Sequence, residues 1–135
     1  FMLTYGDAVS DINIKDLLKF HESHGKICTI SMVSIAQQKG VLDVASDGRI
    51  QSFREKADED GALINGGFMV MNPQIFDYLD GDDTVLEQSP MRKLVAKGEL
   101  MGYHHTGFWQ CMDTQREKQK LDKLWGSGDA PWKIW

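Results

Sequence analysis

The chain has 135 residues, 41% hydrophobic and 26% charged, with 15 basic against 20 acidic side chains and a net charge of -5. A unit of this size can bury about two thirds of its unfolded surface without disulfides or metal staples, so one domain over residues 1–135 is expected. No apolar run approaches the ~18 residues of a membrane span, and the basic residues are scattered, so neither a membrane nor a nucleic acid polymer is an expected partner.

The chain opens on Phe1-Met2-Leu3-Thr4-Tyr5, strand-like from its first residue and unlike a secretory signal. A buried strand rarely opens a domain, so the chain reads as part of a longer architecture. That strand ends at Gly6-Asp7. Asp11 is placed to cap a helix with Ile14, Leu17, Leu18 and His21 on one face, and Gly25 stops it. Lys26 to Val33 follows as a buried strand, and the strand, helix, strand order predicts a right-handed crossover between parallel strands.

Val41 to Ser46 and Arg49 to Lys56 flank Asp47-Gly48 and predict a hairpin. The acidic stretch Asp58 to Gly61 reads as a solvated loop. Leu63 to Met71 is a strand interrupted by Gly66-Gly67, and Asn72-Pro73 starts a short helix. Thr84 to Glu87 and Thr114 to Glu117 both fit the capping box that opens a helix. Between them Ser89-Pro90 restarts a helix to Lys97, and Glu99 to Met112 holds one strand or two. In the last helix Leu121, Leu124 and Trp125 share a face. Alternating strands and helices predict an α/β fold with a mixed sheet and flanking helices.

Ligands of such folds bind at the carboxyl edges of parallel strands. Four polar interruptions stand out: Asp7 after the first strand, Glu55-Lys56 at the end of the hairpin, Asn65-Gly66-Gly67, and Asp113 before the last helix. Two separated carboxylates, Asp7 and Asp113, can hold one Mg²⁺, a hard cation that completes its shell with water and phosphate oxygens. Lys56 can neutralise a phosphate. Glu55 and the Asn65 amide can select sugar hydroxyls, and Gly66 and Gly67 would let a ligand approach the backbone.

Each of these residues also has a purely structural reading. Asp7 suits a turn, Asp113 a helix N-terminus, Glu55-Lys56 a solvated strand end, and Asn65-Gly66-Gly67 a bulge. His104 and His105, adjacent in a strand, point to opposite faces and do not suit a shared metal. Cys28 and Cys111 fall in no paired motif; they suit packed, reduced thiols and a cytoplasmic setting.

The chain resembles the sugar-phosphate nucleotidyltransferases. The motifs are Phe1 to Asp7, Ser52-Phe53-Arg54-Glu55-Lys56, Ile64-Asn65-Gly66-Gly67-Phe68, Phe76-Asp77-Tyr78 with Gly81-Asp82, Gly107-Phe108-Trp109 with Met112-Asp113-Thr114, and Pro131-Trp132-Lys133. The resemblance is strongest to the second, C-terminal half of the glucose-1-phosphate cytidylyltransferases. It implies a Rossmann-like fold and the reaction of CTP with glucose 1-phosphate to CDP-glucose and pyrophosphate. It also implies catalytic roles for Asp7, Asp113 and Lys56, Mg²⁺ held by Asp7 and Asp113, the sugar phosphate contacted by Lys56, and the sugar by Glu55, Asn65 and Gly66.

The family's glycine-rich triphosphate loop, with its arginine and lysine, has no counterpart in these residues. CTP would therefore bind only with that missing half supplied, and the expectation for the chain alone is inactivity. The alternative is a stand-alone, non-catalytic sugar-phosphate-binding or self-associating module. Ala8 stands where the family has a second glycine, Gln38-Lys39-Gly40 where it has arginine, aromatic and glycine, and Ala57 where it has proline. An uncovered first strand, with Trp132 and Trp135 in the tail, predicts a homodimer.

Overall fold

The computed structural model describes residues 1–34, 41–44, 47, 49–54 and 63–135. The chain runs β1 (Met2–Thr4), β2 (Ala8–Ser10), α1 (Ile14–His24), β3 (Cys28–Ser34), β4 (Val41–Val44), β5 (Ile50–Arg54) and β6 (Leu63–Met71). A 3-10 helix (Pro73–Tyr78), α2 (Ser89–Ala96), β7 (Leu100–His104), β8 (Trp109–Cys111) and α3 (Gln115–Ser127) complete it. A four-stranded mixed sheet has the order β1-β6-β3-β7, and β2 with β8 and β4 with β5 form separate antiparallel pairs.

The sheet is covered on both faces because β6 alternates. Met69 and Met71 face one way and pack with Cys28, Ile75, Tyr78 and Leu94, drawn from β3, the 3-10 helix and α2. Val70 faces the other way, against Leu17 of α1 and Ile12. On that second face Leu17 is 1% exposed, whereas Ile14, one turn earlier on α1, is 41% exposed and lies beside β1, the last strand of the sheet among the described residues. The helical face predicted for α1 is therefore buried only in part.

The predicted crossover is altered in one respect. β1 and β3 both run antiparallel to β6, so they share a direction, but β6 lies between them. The hydrogen-bonded parallel pair is β3 with β7, in register from Cys28 opposite Leu100 to Met32 opposite His104. An alternating pattern identifies strands without their order, since the ladder bonds of each strand are satisfied by either neighbour.

Two of the expected caps are different. Asn13, not Asp11, caps α1, its side chain accepting from the amides of Lys15 (3.0 Å) and Asp16 (3.3 Å). Thr84 opens no helix: its hydroxyl accepts backward from the amides of Asp80 (3.1 Å) and Gly81 (3.0 Å), and α2 starts after Gln88. The Thr114 to Glu117 box is as predicted, and Gly25, at φ 66°, ends α1. The hairpin holds, Val41 opposite Arg54 and Val44 opposite Ile50, with Asp47 in its turn. Glu55, Lys56 and the acidic loop at 58–61 lie outside the described residues.

Candidate functional site

The pairings bring one set of ends together. The C-terminal ends of β1, β3 and β7 and the N-terminal end of β6 lie on the same edge of the sheet, with Thr4 opposite Phe68, Met32 opposite Asn65, and Met32 opposite His104. This is the edge where α/β sheets accept ligands. Asp7 leaves β1 here. The Met112 amide donates to the Asp7 carbonyl at 2.7 Å, extending the β2 to β8 ladder by one step, so the backbone of Asp7 is paired one residue before Asp113. Both residues are exposed.

Asn65-Gly66-Gly67 forms a bulge. Ile30 pairs with Met69 and Met32 with Asn65, so Ser31 alone faces Gly66, Gly67 and Phe68. A bulge removes ladder partners, and the freed backbone groups must find others. The Gly67 amide donates to Asn65 Oδ1 (2.9 Å), the Phe68 amide to Ser31 Oγ (3.1 Å), and the Gly67 carbonyl accepts from the Tyr5 amide (3.2 Å). The Trp109 indole donates to the Gly66 carbonyl at 2.7 Å. A side chain on Gly66 would meet Ser31 Oγ at 2.7 Å, and one on Gly67, at φ 79°, would meet the Tyr5 ring at 2.8 Å. The close approach expected for a ligand at these glycines is thus taken by Ser31 and Tyr5. Among the described residues Asn65 keeps unused hydrogen-bonding capacity: its Oδ1 has one such bond, and its amide nitrogen donates once, to Tyr5 Oη at 3.4 Å.

Tyr5 is a member of this group that sequence patterning misses. Its hydroxyl donates to Glu87 Oε1, and burial, followed by the Glu87 carboxylate, pushes its pKa up to about 12. Glu87, read above as half of a capping box, instead ties the loop before α2 to the site. The Tyr5-Gly6-Asp7 run was the available signal for Tyr5; nothing local marks Glu87 or the Trp109 indole.

The ligand atoms of Cys111, Asp113 and Glu117 lie within 4.8 Å of one another. Two of the three are committed elsewhere. Glu117 Oε2 accepts from the Asp113 amide (2.9 Å), the Thr114 amide (2.8 Å) and the Thr114 hydroxyl (3.0 Å), which holds its carboxyl below the usual range. The Cys111 thiol donates to Glu117 Oε1 at 3.6 Å, and burial, then the nearby carboxylates, raise its pKa to about 11, so with no cation beside it the thiol is protonated. Asp113 is exposed, and so is Asp7; a hard divalent cation takes oxygen donors of this kind. Cys28 is fully buried, its pKa raised to about 12 by burial, a core residue as expected.

These features have clear relatives. Residues 1–114 match the nucleotidyl transferase family, and the chain belongs to it. It is 48% identical over 135 residues to the glucose-1-phosphate cytidylyltransferase of Salmonella typhimurium, covering all of this chain and 52% of that protein. It is 31% identical over 124 residues to the mannose-1-phosphate guanylyltransferase catalytic subunit beta of Drosophila melanogaster, covering 90% of this chain and 33% of that one. In fold it is similar to HddC from Yersinia pseudotuberculosis, with TM-score 0.64 and 20% identity over 93% of this chain and 55% of that one. UTP-bound UGPase from Acinetobacter baumannii gives TM-score 0.64 at 14% identity, over 95% and 51%. The mixed α/β nucleotidyltransferase architecture is therefore as expected.

The chain spans about half the length of the cytidylyltransferase it matches. The expected assignment to that family's C-terminal half is not retained: these matches establish the family and a share of length, not the half. Among the described residues, no helix is long and apolar enough to cross a membrane.

Proposed function

We propose that the chain supplies the sugar-phosphate and metal-binding part of a cytidylyltransferase that joins CTP and glucose 1-phosphate to CDP-glucose and pyrophosphate. The observation that carries the reading is the Met112 to Asp7 bond, which gathers Asp7 and Asp113 at the sheet edge that also holds Asn65. The 48% identity to a glucose-1-phosphate cytidylyltransferase supports the substrate class. Asp7 and Asp113 would hold Mg²⁺, whose charge, when bound, offsets that of the phosphates. Asn65 and Glu55 would select sugar hydroxyls, and Lys56 would neutralise the sugar phosphate. Such transfer needs positioning and charge neutralisation more than a nucleophilic side chain, which fits a site without an activated thiol.

No glycine-rich triphosphate loop occurs in the 135 residues, so the chain alone is proposed to be inactive. With CTP, glucose 1-phosphate and Mg²⁺ it should release no pyrophosphate above a blank, yet glucose 1-phosphate should shift amide resonances at Asp7, Asn65 and Asp113. Lys56→Ala should weaken that binding. Turnover by the isolated chain would refute the missing nucleotide site, and shifts elsewhere would refute the sugar site.

A second reading, a self-associating module without catalysis, is favoured by the exposed apolar side chains at β1, the last strand of the sheet among the described residues. Phe1, Met2 and Ile14 are 53%, 48% and 41% exposed there, an apolar surface that a second copy could cover. Sedimentation showing a species heavier than 15.3 kDa would support this homodimer, and a monomer at high concentration would rule it out.

A further inference from the structure

A cavity of about 300 Å³ opens at the ends of the parallel pair β3 and β7, lined by Val33, Ser34, His104, His105, Thr106 and Trp109. It abuts the bulge: the Trp109 indole holds the Gly66 carbonyl, and Val33 packs over Gly66. Its size is at the small end of ligand cavities, about 300–1,000 Å³, and suits one sugar ring.

His105 is fixed in this wall. Its backbone amide donates to the Met32 carbonyl at 2.9 Å, which continues the β7 strand into the cavity wall. Its Nε2 faces the Phe108 carbonyl at 3.2 Å and Ser10 Oγ at 3.1 Å. The Ser10 hydroxyl donates to the Phe108 carbonyl at 2.7 Å, so towards His105 it is an acceptor. Asp11 Oδ1, buried and without a hydrogen bond among the described residues, lies 2.9 Å from the same nitrogen, off the line of its N–H. Three oxygens around Nε2 require it to carry the hydrogen, and the Asp11 charge holds that hydrogen there. Gly107 makes the approach possible, since a side chain on it would strike Asp11 Oδ1 and would meet His105 Cε1 at 2.8 Å. Nδ1, the other nitrogen, has no hydrogen-bond partner among the described residues.

We infer that His105, oriented by Asp11, is a specificity-determining residue whose Nδ1 accepts a hydrogen bond from a hydroxyl of the sugar in this cavity. The inference rests on the proposed sugar-phosphate reading and adds to it an acceptor and its positioning residue. It also accounts for Asp11, which is released from helix capping by Asn13 and is spent here instead.

The test uses the full chain and α-glucose 1-phosphate, its single-deoxy analogues, and inorganic phosphate as probes. Nitrogen NMR of the unaltered chain should show His105 protonated at Nε2 and bare at Nδ1, with Nδ1 moving on addition of glucose 1-phosphate. His105→Gln keeps a donor near Nε2 and leaves no acceptor at the position of Nδ1 when that donor is held by the Phe108 carbonyl. It should weaken glucose 1-phosphate about three- to tenfold, the worth of one hydrogen bond, and leave inorganic phosphate unchanged. One deoxy analogue should bind the unaltered chain and the variant equally, which identifies the hydroxyl. A hydrogen on Nδ1 in the free chain overturns the assignment, and that measurement does not depend on the variant's folding. Binding that His105→Gln leaves unchanged overturns this assignment alone, whereas no binding of glucose 1-phosphate to the unaltered chain overturns the functional reading as well.

Discussion

The Met112 amide and the Asp7 carbonyl, 2.7 Å apart, join positions 105 residues apart in sequence (112 minus 7) and determine where two carboxylates emerge. Asp7 lies one residue before β2 and Asp113 two residues after β8, and both side chains stay in solvent. The proposed shared cation would need both carboxylates to turn towards each other from this paired backbone.

Asp7→Asn and Asp113→Asn should each weaken Mn²⁺ binding, read by paramagnetic broadening of the Asp7 and Asp113 amides, and change stability by no more than about 0.5 kcal/mol. If the two share an ion, the double variant should be barely worse than the weaker single one. Independent, additive losses would mean two unrelated surface carboxylates.

Gly67→Ala should destabilise the chain by about 1–2 kcal/mol from the left-handed backbone alone, because φ is 79° there. The added methyl also meets the Tyr5 ring at 2.8 Å, so the Tyr5 to Glu87 bond should loosen with it. Urea unfolding gives the first quantity, and a fall in the Tyr5 pKa from about 12 gives the second. A variant as stable as the parent would show that the bulge can be redrawn without glycine.

The two threonine motifs should separate cleanly. Thr114→Ala removes a capping box and should cost about 1 kcal/mol, with fraying of the first turn of α3 seen by hydrogen exchange. Thr84→Ala removes two bonds within an exposed loop and should leave the helical circular dichroism unchanged. A loss of helix in Thr84→Ala would contradict the start of α2 at Ser89.

Acid should loosen the junction of α1, β3 and β6. The Lys26 amide donates to His24 Nδ1 (2.9 Å), so His24 Nε2 carries the hydrogen and donates to Thr29 Oγ1 (2.7 Å). Thr29 then donates to His21 Nδ1 (2.9 Å), His21 Nε2 to Asn72 Oδ1 (3.1 Å), and Asn72 Nδ2 back to the Lys26 carbonyl (3.1 Å). The ring has no place for a second hydrogen on His24. Burial, with His21 and Lys26 nearby, lowers the His24 pKa from 6.5, against an opposing contribution from Glu99. A lowered folded pKa means that the unfolded chain binds more protons. The stabilisation is complete above pH 6.5 and is lost as pH falls through the folded value. Urea midpoints should therefore drop below that pH, and Thr29→Val should be destabilised by about 1–3 kcal/mol at neutral pH with a flatter acid limb. An acid limb identical in Thr29→Val would place the pH dependence elsewhere.

Features that rest on neighbours within a few residues are legible without coordinates. Gly25 ends α1 because a left-handed residue needs no distant partner, Thr114 and Glu117 satisfy each other's amides across one turn, and Asp47 marks the turn of the β4 to β5 hairpin. The interruption at Gly66-Gly67 and the polar strand ends at Asp7 and Asp113 were also legible, because polar residues in apolar runs are visible without coordinates. Long-range packing places β6 between β1 and β3, turns the Thr84 hydroxyl backward, and brings Asp11 to His105 instead of the helix start. In each case local chemistry offered two partners of comparable strength, and packing at long range chose between them. The Trp109 indole found the Gly66 carbonyl, and Glu87 found the Tyr5 hydroxyl, only because the sheet brings them within hydrogen-bonding distance across 43 and 82 residues of chain.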